Sequence, residues 1–219
     1  MGTRGGNPAL IVIDMQNDFV SGSLAVQEGA TIIDKINTLI GIPSFKARFA
    51  SRDYHPSNHI SFAATHGKDV FSKTIIYHPD DKDKKNGIEQ ILWPVHCVKS
   101  TNGAEFVLGL NTTSFDAVIM KGVSPGIEAY SAFQDVWGRD STDLDARLKE
   151  KGITDLYFVG LATDYCVKWS AIDAQELGYR VWVVKDAVKS IKPEREALED
   201  LETKGILLTT TEEVKRLYS

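Results

Sequence analysis

The chain has 219 residues, 42% of them hydrophobic and 25% charged, and a formal net charge of −5. This composition excludes disordered, collagen-like and disulfide-rich classes, and at this length a chain buries about 70% of its unfolded surface, enough for one sizeable core. The acidic balance leaves no basic excess to neutralise phosphates, so neither nucleic acid nor an anionic membrane surface is an expected partner.

Residues 1–7, Met1-Gly-Thr-Arg-Gly-Gly-Asn7, show no apolar signal region and no myristoylation pattern, and read as a flexible leader before a single domain over 8–219. Apolar, β-branched runs of strand length follow at 9–13, 48–51, 117–120, 155–159, 180–184 and 206–209. Helical patterns fall at 31–40, 130–136, 144–151, 164–177 and 194–204, with Gly152 and Gly178 as the glycines expected just past a helix end. The polar run Pro79-Asp-Asp-Lys-Asp-Lys-Lys-Asn-Gly87 alternates in sign and reads as a solvated loop. No apolar stretch approaches the ~20 residues of a bilayer-spanning helix. Two cysteines, Cys97 and Cys166, make neither a disulfide framework nor a C-x-x-C metal site, which points to a reducing, cytoplasmic compartment. Strands alternating with helices predict an α/β fold: a doubly wound, six-stranded, mainly parallel sheet with helices on both faces.

In such sheets the ligand crevice lies beyond the carboxyl ends of the strands. Asp14 follows the first predicted strand, Arg52 and Asp53 the second, Lys121 the third, and Cys166 lies a few residues past the fourth. Gly160-Leu-Ala-Thr-Asp-Tyr-Cys166 turns from strand to helix and places the sulfur in the first helical turn, where the helix dipole and unpaired N–H groups favour a thiolate. A buried core cysteine fits that segment equally well. Asp14 as a base and Lys121 as a cation would complete a nucleophile, proton acceptor and charge stabiliser. Taken singly, Asp14 could cap a turn and Lys121 could be a surface charge.

All five histidines, His55, His59, His66, His78 and His96, precede Cys97. Asp53 and His55 stand two apart, so in an extended chain they face the same way and could share a cation, with His96 as a third ligand. Spacing alone leaves that open, and it assigns nothing to His59, His66 or His78. Gly122-Val-Ser-Pro-Gly126 matches the G-x-S-x-G serine elbow, but Pro125 lacks the N–H that the oxyanion hole needs and no histidine follows Ser124. Neither a dinucleotide-binding nor a P-loop motif occurs. Cys97 beside His96 remains an alternative thiol.

Five segments carry a resemblance: Ile11-Val-Ile-Asp-Met-Gln-Asn-Asp-Phe19, Ser51-Arg-Asp-Tyr-His-Pro-Ser-Asn-His-Ile-Ser-Phe62, Gly87-Ile-Glu-Gln-Ile-Leu-Trp-Pro-Val-His-Cys-Val-Lys99, Tyr130-Ser-Ala-Phe133 and Gly160-Leu-Ala-Thr-Asp-Tyr-Cys-Val-Lys168, together with Lys121-Gly122. In these the chain resembles the nicotinamidases of the isochorismatase-like cysteine hydrolase superfamily, the eukaryotic type most closely. The D-x-H-P and W-P-x-H-C pair is the part specific to nicotinamidases. The resemblance implies Cys166 as nucleophile, Asp14 as general acid and base, and Lys121 as the cation between them. It further implies an oxyanion hole from the N–H groups of Ala162 and Cys166, with a cis peptide between Leu161 and Ala162. It places Asp53, His55 and His96 on a divalent metal, usually zinc, with no organic cofactor. The resemblance leaves open whether His59 joins that shell. The implied substrate is nicotinamide, or pyrazinamide, in a slot for which Phe19, Trp93 and Tyr130 are the chosen aromatics, and the product would feed NAD salvage. A homo-oligomer is compatible with all of this. The rival readings are another small-amide or carbamoyl hydrolase with the same thiol chemistry, and a binding protein that has kept only the fold.

Overall fold

Every residue of β1 (Pro8–Ile13) is buried, as a central strand covered on both faces requires. Leu10 and Val12 join one apolar core, and Ala9, Ile11 and Ile13 the other, in the period-two alternation of a strand. The structure, a computed structural model, describes residues 6–218. Of the expected leader, residues 1–5 lie outside the described residues. Asn7 is tied down, its backbone N–H donating to Thr154 Oγ1 at 2.9 Å and its side chain to the Gly152 carbonyl at 2.8 Å.

The chain continues through α1 (Asn17–Val20), α2 (Ile33–Ile40), β2 (Ala47–Asp53), α3 (Ala63–His66), β3 (Lys73–Tyr77), β4 (Gly87–Ile91) and β5 (Ala117–Lys121). It then runs through α4 (Leu144–Glu150), β6 (Asp155–Leu161), α5 (Lys168–Glu176), β7 (Arg180–Lys189), α6 (Glu194–Thr203), β8 (Leu207–Thr209) and α7 (Thr211–Tyr218). Six strands form one sheet in the order β5-β2-β1-β6-β7-β8, every pairing parallel. Ile36, Leu39 and Ile40 of α2 and Val214 of α7 cover one face. Leu144 and Leu148 of α4, Ala171 and Ala174 of α5 and Leu201 of α6 cover the other. This is the expected doubly wound sheet. Strand order reverses between β1 and β6, so the ends of those strands flank the topological switch point where such folds bind ligands.

Several elements depart from expectation. Residues 130–136 are not helical. There Asp135 accepts the N–H groups of Trp137, Arg139 and Asp140, Ser131 Oγ accepts that of Phe133 and Ser170 Oγ that of Ala132, so side chains replace the carbonyl acceptors of a helix. The segment from 164 begins as a π-helical turn, Thr163–Val167, before α5. β7 runs five residues past its predicted end at 184, to Lys189. The polar run at 79–87 is the connection of an antiparallel hairpin, β3 with β4, whose strands were missed because each buries little of its surface. The C-terminal helix α7 was also unforeseen.

Candidate active site

Asp14 leaves the end of β1 in the left-handed region, φ 47°, and is fully buried. Two residues on, Gln16 clamps the end of β2: its Oε1 accepts the Asp53 N–H and its Nε2 donates to the Asp53 carbonyl, both at 2.8 Å. On the other side of β1, Gly160 lies so close that a Cβ there would fall 2.0 Å from the Ile13 carbonyl oxygen, and its φ of 112° suits only glycine. The three central strands therefore deliver their ends to one place.

Lys121, at the end of β5, is buried, and besides the Ala129 carbonyl at 3.3 Å it faces three side chains. Its Nζ lies 3.0 Å from Asp14 Oδ2 and 3.2 Å from Cys166 Sγ, and it pairs closely with Asp53 Oδ1. Ser51 Oγ donates to the other Asp14 oxygen at 2.7 Å. Oxygen atoms of Asp14 and Asp53 and the Cys166 sulfur all lie within 4.8 Å of one another, with the ammonium serving them all. Burial pushes the Asp14 carboxyl up, against the pull of Lys121. Burial opposes charge on Asp53 as well, but Lys121 and His55 outweigh it and hold this carboxylate well below the usual range. Burial alone would lower Lys121; Asp14 and Asp53 outweigh that, so the ammonium stays charged. Burial also raises the Cys166 thiol well above its ordinary value, against Lys121. Burial thus opposes the thiolate that the start of a helix favours, and a base beside the sulfur would offset that cost.

The second Asp53 oxygen faces the histidines. His55 Nε2 is 3.4 Å and His96 Nε2 3.7 Å from Oδ2. The Nδ1 of His55 meets the Gly122 carbonyl at 2.9 Å and that of His96 the Pro94 carbonyl at 2.7 Å. A carbonyl can only accept, so each Nδ1 donates and each Nε2 is the ring nitrogen turned toward Asp53. The ligand atoms of Asp53, His55 and His96 lie within 4.8 Å of one another, and two imidazoles oriented by outer hydrogen bonds with one carboxylate could hold a divalent metal. His59 is outside this set. Its Nδ1 meets Ser61 Oγ at 2.7 Å and its Nε2 the Ile127 carbonyl at 3.0 Å, while burial lowers its pKa to about 3 and keeps the ring neutral. The ring stacks on His55 instead, centroids 4.0 Å apart.

One narrow pocket is lined by Asp53, His55, His96, Phe19, Trp93, Tyr130, Ala162 and Cys166, with Asp14 and Lys121 around the sulfur. The peptide between Leu161 and Ala162 is cis. The Ala162 carbonyl accepts the N–H groups of Tyr165 and Val167 as the chain enters the π-helical turn, and N–H groups at such a start have no partners within the helix. Cys97 lies elsewhere in the core, its sulfur 3.8 Å from the Gly103 carbonyl. Leu24, Glu128, Tyr165 and Ile191 also line the pocket and were not anticipated. Tyr165 stands directly before the nucleophile candidate and could have been found; Leu24, Glu128 and Ile191 carry no local signal.

A parallel sheet whose strand ends bring together a cysteine, a buried carboxylate, a buried lysine and a group able to hold a metal has the residues that a cysteine hydrolase would use. The isochorismatase domain matches residues 8–213, and the chain belongs to that family. Among its relatives, the nicotinamidase of Escherichia coli strain K12 is 41% identical over 186 residues, 84% of this chain and 83% of its own. The yeast nicotinamidase, solved with the inhibitor nicotinaldehyde, superposes with a TM-score of 0.87 at 36% identity, covering 93% of this chain and 99% of its own. The Pyrococcus horikoshii pyrazinamidase, solved in complex with zinc, gives a TM-score of 0.71 at 39% identity, covering 93% and 99%. No helix among the described residues is long and apolar enough to cross a membrane.

Proposed function

We propose that this chain hydrolyses nicotinamide to nicotinate and ammonia through a thioester on Cys166, accepts pyrazinamide as well, and so feeds NAD salvage in the cytoplasm. The observation that carries the reading is the two-sided use of Asp53: one carboxylate oxygen pairs with the Lys121 that touches Cys166, and the other faces His55 and His96. That arrangement supports reading Cys166 as the nucleophile and Asp53, His55 and His96 as the holders of a ring-nitrogen anchor in the same small pocket. The names of the E. coli and yeast relatives support the substrate, and the zinc complex of the archaeal relative supports the ion.

Asp14 takes the Cys166 proton as the sulfur attacks the carboxamide carbon, and Lys121 holds both groups in register while offsetting the charge that develops. The carbonyl oxygen becomes an oxyanion between the N–H groups of Ala162 and Cys166, each such donor being worth about 3 kcal/mol. The C–N bond breaks as Asp14 returns the proton to the leaving nitrogen, which departs as ammonia. Asp14 then deprotonates a water that attacks the thioester, and the thiol is regenerated with nicotinate. A divalent cation, zinc by the chemistry of the donors, would be held by Asp53, His55 and His96 and supplies a Lewis-acid anchor for the pyridine nitrogen. Phe19, Trp93 and Tyr130 line the flat ring and exclude water.

The deciding experiment is ammonia release from nicotinamide by wild type and Cys166→Ala, with metal analysis of both. The expected result is turnover only in the metal-loaded wild type. A metal-loaded wild type inert toward nicotinamide and active on a carbamoyl substrate would establish the rival amidase reading.

A further inference from the structure

Gln90 leaves the β3–β4 hairpin for the pocket wall. It is 2% exposed, although its neighbour Glu89 is solvent-facing. Its Nε2 lies 2.7 Å from the Ile91 carbonyl, 2.8 Å from Tyr130 Oη and 3.1 Å from Glu128 Oε2. A carbonyl and a carboxylate only accept, so these partners fix which way the amide faces. Trp93 Nε1, which only donates, lies 3.2 Å from the same Tyr130 oxygen. Two donors therefore aim at the phenolic oxygen and turn its own proton away from both. The Tyr130 ring sits 5.6 Å from Tyr165, which Trp93 meets edge-on at 4.8 Å. Two rings of the wall, Tyr130 and Trp93, are thus tied together at one hydroxyl with Tyr165 packed against both, and the hairpin's amide is one of that hydroxyl's two anchors.

We infer that Gln90 is a positioning residue for substrate binding: the hairpin delivers its amide to the Tyr130 hydroxyl and to Glu128, and so presets the aromatic wall against which a flat aromatic carboxamide lies. Gln90 lies behind that wall and acts through Tyr130. The inference rests on the amidase reading above. Fixing the wall before binding spares the ordering cost that a loose tyrosine would add each time substrate enters. The chemistry at Cys166 is untouched by this arrangement, so the effect belongs in KM rather than in kcat.

The test is steady-state kinetics on nicotinamide with the zinc-loaded full chain, comparing wild type, Gln90→Leu, Gln90→Met, Tyr130→Phe and the double variant Gln90→Leu/Tyr130→Phe. Gln90→Leu and Gln90→Met should each raise KM about tenfold with kcat within about threefold. The double variant should be no worse than Tyr130→Phe alone within about twofold, because removing the hydroxyl removes what Gln90 acts on. KM within about twofold of wild type in both Gln90 variants, a loss confined to kcat, or effects that multiply in the double variant would each overturn the inference. Gln90→Met keeps the length of the side chain, so the question stands even where Gln90→Leu does not fold, and an unchanged KM in Tyr130→Phe would also be decisive against it. A wild type without nicotinamide turnover would bring down the amidase reading and this inference together, whereas an active wild type with the overturning pattern brings down the inference alone.

Discussion

His55 Nδ1 meets the Gly122 carbonyl at 2.9 Å, and Gly122 directly follows Lys121, so one turn at the end of β5 orients the His55 imidazole and the ammonium beside Cys166 together. The two halves of the site share a backbone as well as the Asp53 carboxylate.

Gly122 has φ 61°, and a Cβ there would stand 2.3 Å from His55 Cε1. Gly122→Ala should therefore displace the imidazole and weaken metal binding at least about tenfold, as loss of an outer hydrogen bond to a ligand typically does. His96→Ala should do the same by removing a ligand. Metal content after dialysis against a chelator measures both, and activity of the stripped wild type should return on adding zinc. A variant that retains a full complement of metal would refute this account of Gly122.

The two cysteines should behave oppositely. Cys166→Ala should abolish ammonia release, because no other sulfur among the described residues touches Lys121. Cys97→Ala should keep kcat/KM within about threefold while costing about 1 kcal/mol or more of stability, since its sulfur fills the core. Loss of turnover in Cys97→Ala with an intact melting transition would move the nucleophile there.

Asp14 must be ionised to accept the thiol proton, and burial raises its pKa. Activity should accordingly rise with pH through that raised value, placing the acid limb of kcat/KM above the usual aspartate range. Asp14→Asn should lower kcat by about a hundred- to ten-thousand-fold and flatten the limb. A limb that survives in Asp14→Asn belongs to another group.

Away from the pocket, Asp116 accepts the Arg48 N–H at 2.8 Å and pairs with Lys151 at 2.9 Å. Burial works against its charge, but the hydrogen bonds from Arg48 and Lys151 prevail and lower its pKa. Because the folded value is the lower one, the stabilisation is present above the unfolded pKa and is lost as pH falls through the folded value. Asp116 is solvent-exposed, so screening leaves Asp116→Asn a cost of about 0.5 kcal/mol at neutral pH, and the gap in denaturant midpoint between it and wild type should close as pH drops below about 4. A gap that is constant with pH would assign the effect to packing.

Much of the sheet was legible because a buried parallel strand is a nearly continuous apolar run, as in β1 and β6, and sequence alone marks it. β3 and β4 were not legible: half-exposed hairpin strands carry little hydrophobic signal, and their pairing is a long-range event. Likewise 130–136 has a helical pattern that side-chain acceptors from Asp135, Ser131 and Ser170 override.

By itself the sequence determined which chemistry was on offer: a carboxylate, a lysine and a cysteine after three separate strands, and an Asp-x-His pair with a later histidine. Those are properties of residue type and local spacing. Only the tertiary structure decided that one aspartate touches both the lysine and the histidines, that His59 spends both ring nitrogens on Ser61 and Ile127, that burial weighs against charge on Cys166, and that Gln90 reaches Glu128 and Tyr130. Burial and ion pairing depend on what the neighbouring strands bring within a few ångströms, and that distance is set by the packing of the sheet rather than by any segment of the chain.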